Sequence, residues 1–288
     1  LAEPSPGTPS RILPSLGTFV ASDGYRFYVR RWEAATRPRA RIVFLHGIRS
    51  HSGWYRSSCA KLAEAGYEVH FLDRRGSGLN SANRGHAPSF RRLLDDVAEY
   101  LQESRRERAW LPTVLAGISW GGKLAAAIPY RRPGLIHGLA LITPGLVPII
   151  QPTWWQRLQI ALAGGLWPDR LFPIPLNEPE LFTTAPIWQR FIEQDRYGLR
   201  LASARFFLSS ALLDVYLRRA VAWIDGPVLL MLAGRDRIMD NARTREYLKR
   251  FRRANVTIYE YADADHTVEF SNAAGDFCRD LCCWLSQL

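Results

Sequence analysis

Gly117-Ile118-Ser119-Trp120-Gly121 is the stretch that decides the fold. Ahead of it, Thr113-Val114-Leu115-Ala116 is an apolar, partly β-branched run of strand length. Behind it, Gly122-Lys123-Leu124-Ala125-Ala126-Ala127-Ile128 has helix-forming composition. The stretch reads strand, very tight turn, helix. A serine on such a turn is forced outward, and flanking glycines remove side chains that would collide there. An ordinary glycine-rich helix start would have the same five letters, so the surrounding chain has to decide.

Upstream, the chain alternates between strand and helix patterns. Arg41-Ile42-Val43-Phe44-Leu45 is nearly continuous in apolar residues, as in a strand covered on both faces, and ends in His46-Gly47-Ile48. Residues 54–65 predict an amphipathic helix with Trp54, Ser58, Leu62 and Ala65 near one stripe and Gly66 as its stop. Glu68 to Leu72 is the next strand, leading into the turn Asp73-Arg74-Arg75-Gly76-Ser77-Gly78. Residues 89–107 predict a helix capped by Ser89, with Leu93, Leu94, Val97 and Leu101 inward. Two β-like runs, 18–21 and 25–32, flank Ser22-Asp23-Gly24 as a hairpin, behind a proline-rich arm at residues 1–17. After the elbow, Ile136 to Ile142 is another strand, closed by Thr143-Pro144-Gly145. This alternation predicts an α/β fold with a mostly parallel central sheet and helices on both faces.

The pattern changes over residues 146–223, where helical segments at about 153–164, 184–195 and 200–223 are separated by prolines. The block is too long for a simple loop and predicts a helical cap inserted into a core of residues 18–145 and 224–288. Its many bulky apolar residues predict an apolar site, with Trp154, Leu158, Leu162 and Phe206 as lining candidates. Alternation then resumes. Pro227 to Leu232 is a strand ending in Ala233-Gly234-Arg235-Asp236, and Asp240 caps a helix over 241–251. Val256 to Tyr261 is the last strand, followed by Asp263-Ala264-Asp265-His266 and a closing helix over 270–285.

Bulk properties narrow the function. At 288 residues and 47% hydrophobic, the chain has enough material for one large core plus an insertion, without an uninterrupted apolar run of membrane-spanning length. The net charge of +11 is spread over arginine pairs such as Arg91-Arg92 and Arg252-Arg253, with no long basic run or nucleic-acid motif. No nucleic-acid partner is expected. Cys59, Cys278, Cys282 and Cys283 lack metal-ligand spacing and read as free thiols, so neither metal nor cofactor is expected. The chain starts at Leu1 without methionine, the pattern of a trimmed product. The compartment stays open, with the cytoplasm slightly favoured, and so does the oligomeric state.

Serine is a poor nucleophile until a base takes its proton, and that base needs an acid to hold its tautomer. Asp236 follows one core strand and His266 the next. In a parallel sheet, groups beyond the strand C-termini converge. The order Ser119, Asp236, His266 is that of an α/β-hydrolase triad, with Asp263 and Asp265 as alternative acids. The reaction also needs donors for the developing oxyanion. The backbone N–H of Trp120 supplies one, and that of Ile48, behind the small Gly47, supplies the second. His46 is expected to support this loop, with substrate contact as a lesser role, and Arg49, Ser50 and His51 to lie at the pocket rim.

Taken together, His46-Gly47, the turn from Asp73 to Gly78, Gly117 to Gly121, Gly234-Arg235-Asp236 and Asp265-His266 resemble the monoacylglycerol lipase/lysophospholipase branch of the α/β-hydrolases. The resemblance implies a serine hydrolase with a backbone oxyanion hole and a helical cap over an acyl pocket. Its substrate would be a small apolar ester or monoacyl lipid, with weak membrane-surface contact through the cap. Ser119 argues against members that place aspartate at the elbow. C–C bond hydrolases and cofactor-free haloperoxidases stay open. So do aminopeptidases, for which Glu178, Glu180, Glu193 or Asp195 would hold the substrate amine. Small-ligand or protein binding without catalysis is the remaining alternative.

Overall fold

The computed structural model describes residues 12–288, so residues 1–11 of the proline-rich arm lie outside the described residues. The arm is shorter than expected at its C-terminal end, because β1 (Ser15–Val20) begins inside residues 1–17 and pairs antiparallel with β2 (Arg26–Trp32), Ser15 opposite Arg31. β3 (Arg41–Leu45) is buried along its whole length, as its unbroken apolar run requires. The helix expected at 54–65 is split into a tight 3-10 turn, Ser52–Tyr55, and α1 (Arg56–Glu64). His51 causes the break, since its side chain accepts the Gly53 N–H and starts the tighter turn first.

β4 (Glu68–Leu72), α2 (Phe90–Glu107), β5 (Thr113–Ile118), α3 (Trp120–Arg131) and β6 (Gly138–Ile142) follow. Ser89 caps α2 through the Arg92 N–H, as its sequence position predicted. Between β6 and the next core strand the chain inserts α4 (Trp154–Leu166), β7 (Leu171–Pro173), α5 (Pro186–Gln194), β8 (Leu201–Ser203) and α6 (Ala204–Ala220). β7 and β8 form an antiparallel ribbon that the helical reading of 200–223 missed. Three residues per strand and a proline give no alternation to read. Ser203 then accepts the Phe206 N–H and starts α6.

β9 (Asp225–Ala233), α7 (Asn241–Leu248), β10 (Arg253–Tyr261) and α8 (Ala274–Leu285) complete the chain. Asp240 caps α7, and the last helix starts late because Val268–Phe270 forms a 3-10 turn after His266.

The main sheet has the order β1-β2-β4-β3-β5-β6-β9-β10. Its first two pairings are antiparallel and all from β4 onward are parallel. The parallel strands therefore end at one edge. The loops carrying Ile48, Arg74, Ser119, Asp236 and His266 all leave from it. The insert lies over this region, with α6 packed on α3 and α4 on α6. Among the described residues, no helix is long and apolar enough to cross a membrane.

Candidate active site

Ser119 sits between β5 and α3 with φ 51° and ψ −123°. A non-glycine residue there costs about 1–3 kcal/mol of backbone strain, so its surroundings must hold it. The Ser119 N–H donates to the Ile142 carbonyl at 2.9 Å, and its own carbonyl accepts from Gly122 at 2.9 Å and Gly145 at 2.7 Å. A Cβ on Gly121 would collide with the Leu45 and His46 carbonyls, so glycine is what lets α3 start against the end of β3.

His266 Nε2 lies 3.0 Å from Ser119 Oγ, and His266 Nδ1 lies 2.8 Å from Asp236 Oδ2. The second oxygen of Asp236 accepts the N–H groups of Ile238 at 2.8 Å and Met239 at 2.9 Å. That carboxylate is fixed from both sides. It accepts a hydrogen bond from Nδ1–H, which keeps the proton on Nδ1 and leaves Nε2 free to accept from the serine. The alternative acids are engaged elsewhere. Asp265 accepts the N–H of Thr184 at 2.6 Å and its hydroxyl at 2.7 Å, while Asp263 pairs with Arg235 at the surface.

Ile48, Ser119 and Trp120 border one cavity of about 340 Å³. The Ile48 and Trp120 N–H groups have no partner among the described residues. Trp120 is the first residue of α3, whose N-terminal dipole favours negative charge. A second small space joins Ile48 and Ser119 to His266.

Other expected site residues lie elsewhere. His46 is buried beneath the loop. Its Nε2 accepts the Arg74 N–H at 2.9 Å, so Nδ1 carries the proton and donates to the Gly47 carbonyl at 2.7 Å. Burial, helped by the Arg74 charge, pulls its pKa down to about 3, so it is a neutral support. Arg49 and His51 are buried rather than on a rim. Arg49 donates to the Leu176 carbonyl at 2.5 Å, and burial lowers its pKa to about 10. His51 Nε2 lies 3.2 Å from both oxygens of Asp195, which also accepts the Trp54 indole N–H at 2.7 Å. The insert closes over these residues, which strand and loop patterning could not foresee.

The acyl-site candidates need the same correction. Trp154, Leu158 and Leu162 are 75%, 43% and 59% exposed and stand off the cavity wall. At about 100° per residue they share an outward arc, while Ile160 on the opposite side of α4 lines the cavity. Phe206 is buried against the Trp120 ring at 5.2 Å, and its neighbours Phe207 and Leu208 reach the wall. With Ile174, Leu176 and Met239 they make the wall mostly apolar. The sequence reading also missed a polar side of this cavity. Lys123 pairs with Asp214 at 2.6 Å, and Trp120 donates its indole N–H to Ser210 at 2.9 Å. Lys123 lies four residues beyond Ser119, one helical turn, and that spacing was the available signal.

With the elbow, its two partners and the cavity in view, comparison with known proteins is informative. The Hydrolase_4 family, described as serine aminopeptidase, S33, matches residues 36–271. The chain belongs to this family. It has the α/β-hydrolase fold and is similar to monoacylglycerol lipases. An uncharacterized abhydrolase domain-containing protein of Dictyostelium discoideum is 25% identical over 95% of the chain, which spans 29% of that longer protein. The monoglyceride lipase of Homo sapiens is 24% identical over 97% of the chain and 92% of its own length. A soluble variant of a Saccharomyces cerevisiae monoglyceride lipase, solved with a substrate analog, superposes with a TM-score of 0.81 at 20% identity, covering 99% of each chain.

Proposed function

We propose that the chain is a serine hydrolase of carboxylic esters with an apolar acyl part, monoacyl lipids foremost, working through an acyl-enzyme. The observation that carries this reading is the hydrogen-bonded series Asp236–His266–Ser119 opening onto a mostly apolar cavity beside two N–H groups that have no partner among the described residues.

His266 Nε2 takes the Ser119 proton as Oγ adds to the ester carbonyl. The carbonyl π electrons move onto oxygen, and the Ile48 and Trp120 N–H groups receive that charge. The tetrahedral species collapses, the C–O bond to the alcohol breaks, and the imidazolium protonates the leaving oxygen. Water, deprotonated by the same imidazole, attacks the acyl-serine; collapse releases the acid and returns the proton to Ser119. No cofactor or metal enters these steps.

The cavity favours a monoacyl amphiphile, since apolar walls suit one acyl chain and the Lys123–Asp214–Ser210 side suits a polar head. Membership of a family described as serine aminopeptidase raises an aminopeptidase reading, which needs an unpaired carboxylate for a substrate amine. Glu178, Glu180 and Glu193 are exposed and off the cavity wall. Asp195 is committed to His51 and Trp54. The charged cavity-lining residues are Lys123, Arg157 and Asp214, a net positive set that disfavours a cationic amine. We assign the exposed row on α4 to weak contact with a lipid surface.

Ser119→Ala is expected to abolish hydrolysis of monoacylglycerols and short aryl esters, and labelling by a serine-directed phosphonate, with an unchanged far-UV spectrum. Retained turnover in that variant would overturn the assignment. A substrate panel adding aminoacyl-arylamides separates esterase from peptidase.

A further inference from the structure

We propose that Arg74 is a positioning residue of the oxyanion hole, holding the Ile48 peptide from both sides and placing its charge behind both donors. This rests on the ester-hydrolase reading of Ser119. Arg74 follows β4 in the turn Asp73-Arg74-Arg75-Gly76. Its main-chain N–H donates to His46 Nε2 at 2.9 Å, which leaves the Nδ1 proton to bond the Gly47 carbonyl at 2.7 Å. That carbonyl belongs to the same peptide unit as the Ile48 N–H. Arg74 Nη2 donates to the next carbonyl, that of Ile48, at 2.9 Å. One residue thus fixes the carbonyls on either side of the Ile48 donor, one directly and one through His46. A peptide whose carbonyl accepts a hydrogen bond is also a stronger N–H donor.

The guanidinium also packs on the side chain of the residue that carries the second donor. Its centre lies 5.0 Å from the Trp120 ring and 5.0 Å from the Phe206 ring, between the residue that carries the other N–H and helix α6. Charge distinguishes it from its neighbour. Arg75 forms ion pairs with Asp96 and Asp23, whereas Arg74 has no ion pair among the described residues. Asp73 spends its carboxylate on the N–H groups of Ser52 at 2.7 Å and Leu79 at 2.9 Å. Arg74 Nε and Nη1 are buried without hydrogen-bond partners among the described residues. Asp73 acts on Arg74 as an opposite charge without forming an ion pair among the described residues, and burying a cation on that field and two ring faces is expensive. The charge suits a site where negative charge develops during turnover. Burial lowers its pKa to about 9, which leaves it cationic at neutral pH.

The test compares wild type, Arg74→Met and Arg74→Lys on a dissolved p-nitrophenyl ester. Rates are taken per site titrated with a phosphonate, and affinity is measured for an alkylboronic acid, which forms a tetrahedral adduct on the serine. Arg74→Met is expected to lower kcat by about 10–100-fold with KM within about threefold, and to weaken boronate affinity in parallel. Arg74→Lys keeps a cation and one donor and should lie between the two. If Arg74→Met does not fold, Arg74→Lys carries the test, with a kcat loss of about 3–10-fold and a matching boronate loss. Wild-type kcat per titrated site, a loss confined to KM, or unchanged boronate affinity overturns the role of Arg74. Such a result leaves the ester-hydrolase reading standing, because that reading falls on Ser119→Ala alone.

Discussion

His266–Asp236 and His51–Asp195 are both buried histidine–carboxylate pairs, yet the first lies within the α/β layer and the second joins that layer to the insert. In the first, Nδ1 faces the carboxylate and Nε2 faces Ser119 at the cavity. In the second, Nε2 faces the carboxylate and Nδ1 accepts the Gly53 N–H at 3.0 Å, so no ring nitrogen is left for a reaction. The difference teaches that a histidine–carboxylate pair is not a signature of catalysis. The third partner decides, and it depends on which strand ends the topology brings together.

The strongest way to break this contrast is to neutralise each acid. Asp236→Asn keeps the acceptor for Ile238 and Met239 but loses the charge that sets the His266 tautomer. We expect kcat for ester hydrolysis to fall about 10³–10⁴-fold in steady-state assays, with the melting temperature within a few degrees. Asp195→Asn should lower kcat by less than about tenfold. Equal kinetic losses in the two variants would end the distinction.

Asp195→Asn should instead register as stability, because it weakens three hydrogen bonds to a charged acceptor, worth about 1.5–3 kcal/mol in all after allowance for what asparagine still accepts. Burial pushes the Asp195 carboxyl up, but His51, the Trp54 indole and the Tyr197 N–H outweigh it and hold the pKa below the usual range. A carboxylate depressed in the folded state contributes stability above its unfolded pKa, about 3.9. That contribution is lost as pH falls through the folded value. The melting-temperature gap between wild type and Asp195→Asn should therefore be full near neutrality and close as pH drops below about 4. Thermal denaturation from pH 7 to pH 3 measures it, and a gap that persists to the acid end counts against the assignment.

The same contrast explains what was legible in the sequence. The α/β layer is encoded by short-range patterns: apolar strands, capped helices and glycines whose place a side chain cannot take. Ser119, Asp236 and His266 follow strands of one parallel sheet, so their convergence follows from topology without knowledge of any contact. The insert offers no such rule. β7 and β8 are too short to alternate. Arg49 and His51 resemble loop surface until residues 176–199 fold over them. Arg74 sits in a turn whose spacing says nothing of the Ile48 carbonyl it will meet. Each depends on a partner distant in sequence, and side-chain type alone does not name that partner.

Helix α4 presents the same limit within a single element, and gives the smallest expected effect. Its outward arc, with Trp154 and Leu158, and its inward arc, with Ile160 and Ala163, are both apolar, so periodicity defines two faces without saying which is buried. The insert resolves the ambiguity by packing Ile160 and Ala163 with Phe172 and Ala204, leaving the tryptophan side to solvent. If that outer arc meets lipid, polar replacement should act on vesicle association while leaving the cavity alone. The double variant Trp154→Ser/Leu158→Ser is expected to keep kcat/KM on a dissolved short ester within about twofold and the melting temperature within a degree or two, because exposed sites contribute little to stability. Co-sedimentation with phosphatidylglycerol-containing vesicles should drop several-fold, since indole and leucine side chains supply the apolar part of binding that the +11 net charge assists. Unchanged sedimentation would leave the row as exposed surface, and a loss on the dissolved ester would mean that α4 couples to the cavity through its inner arc.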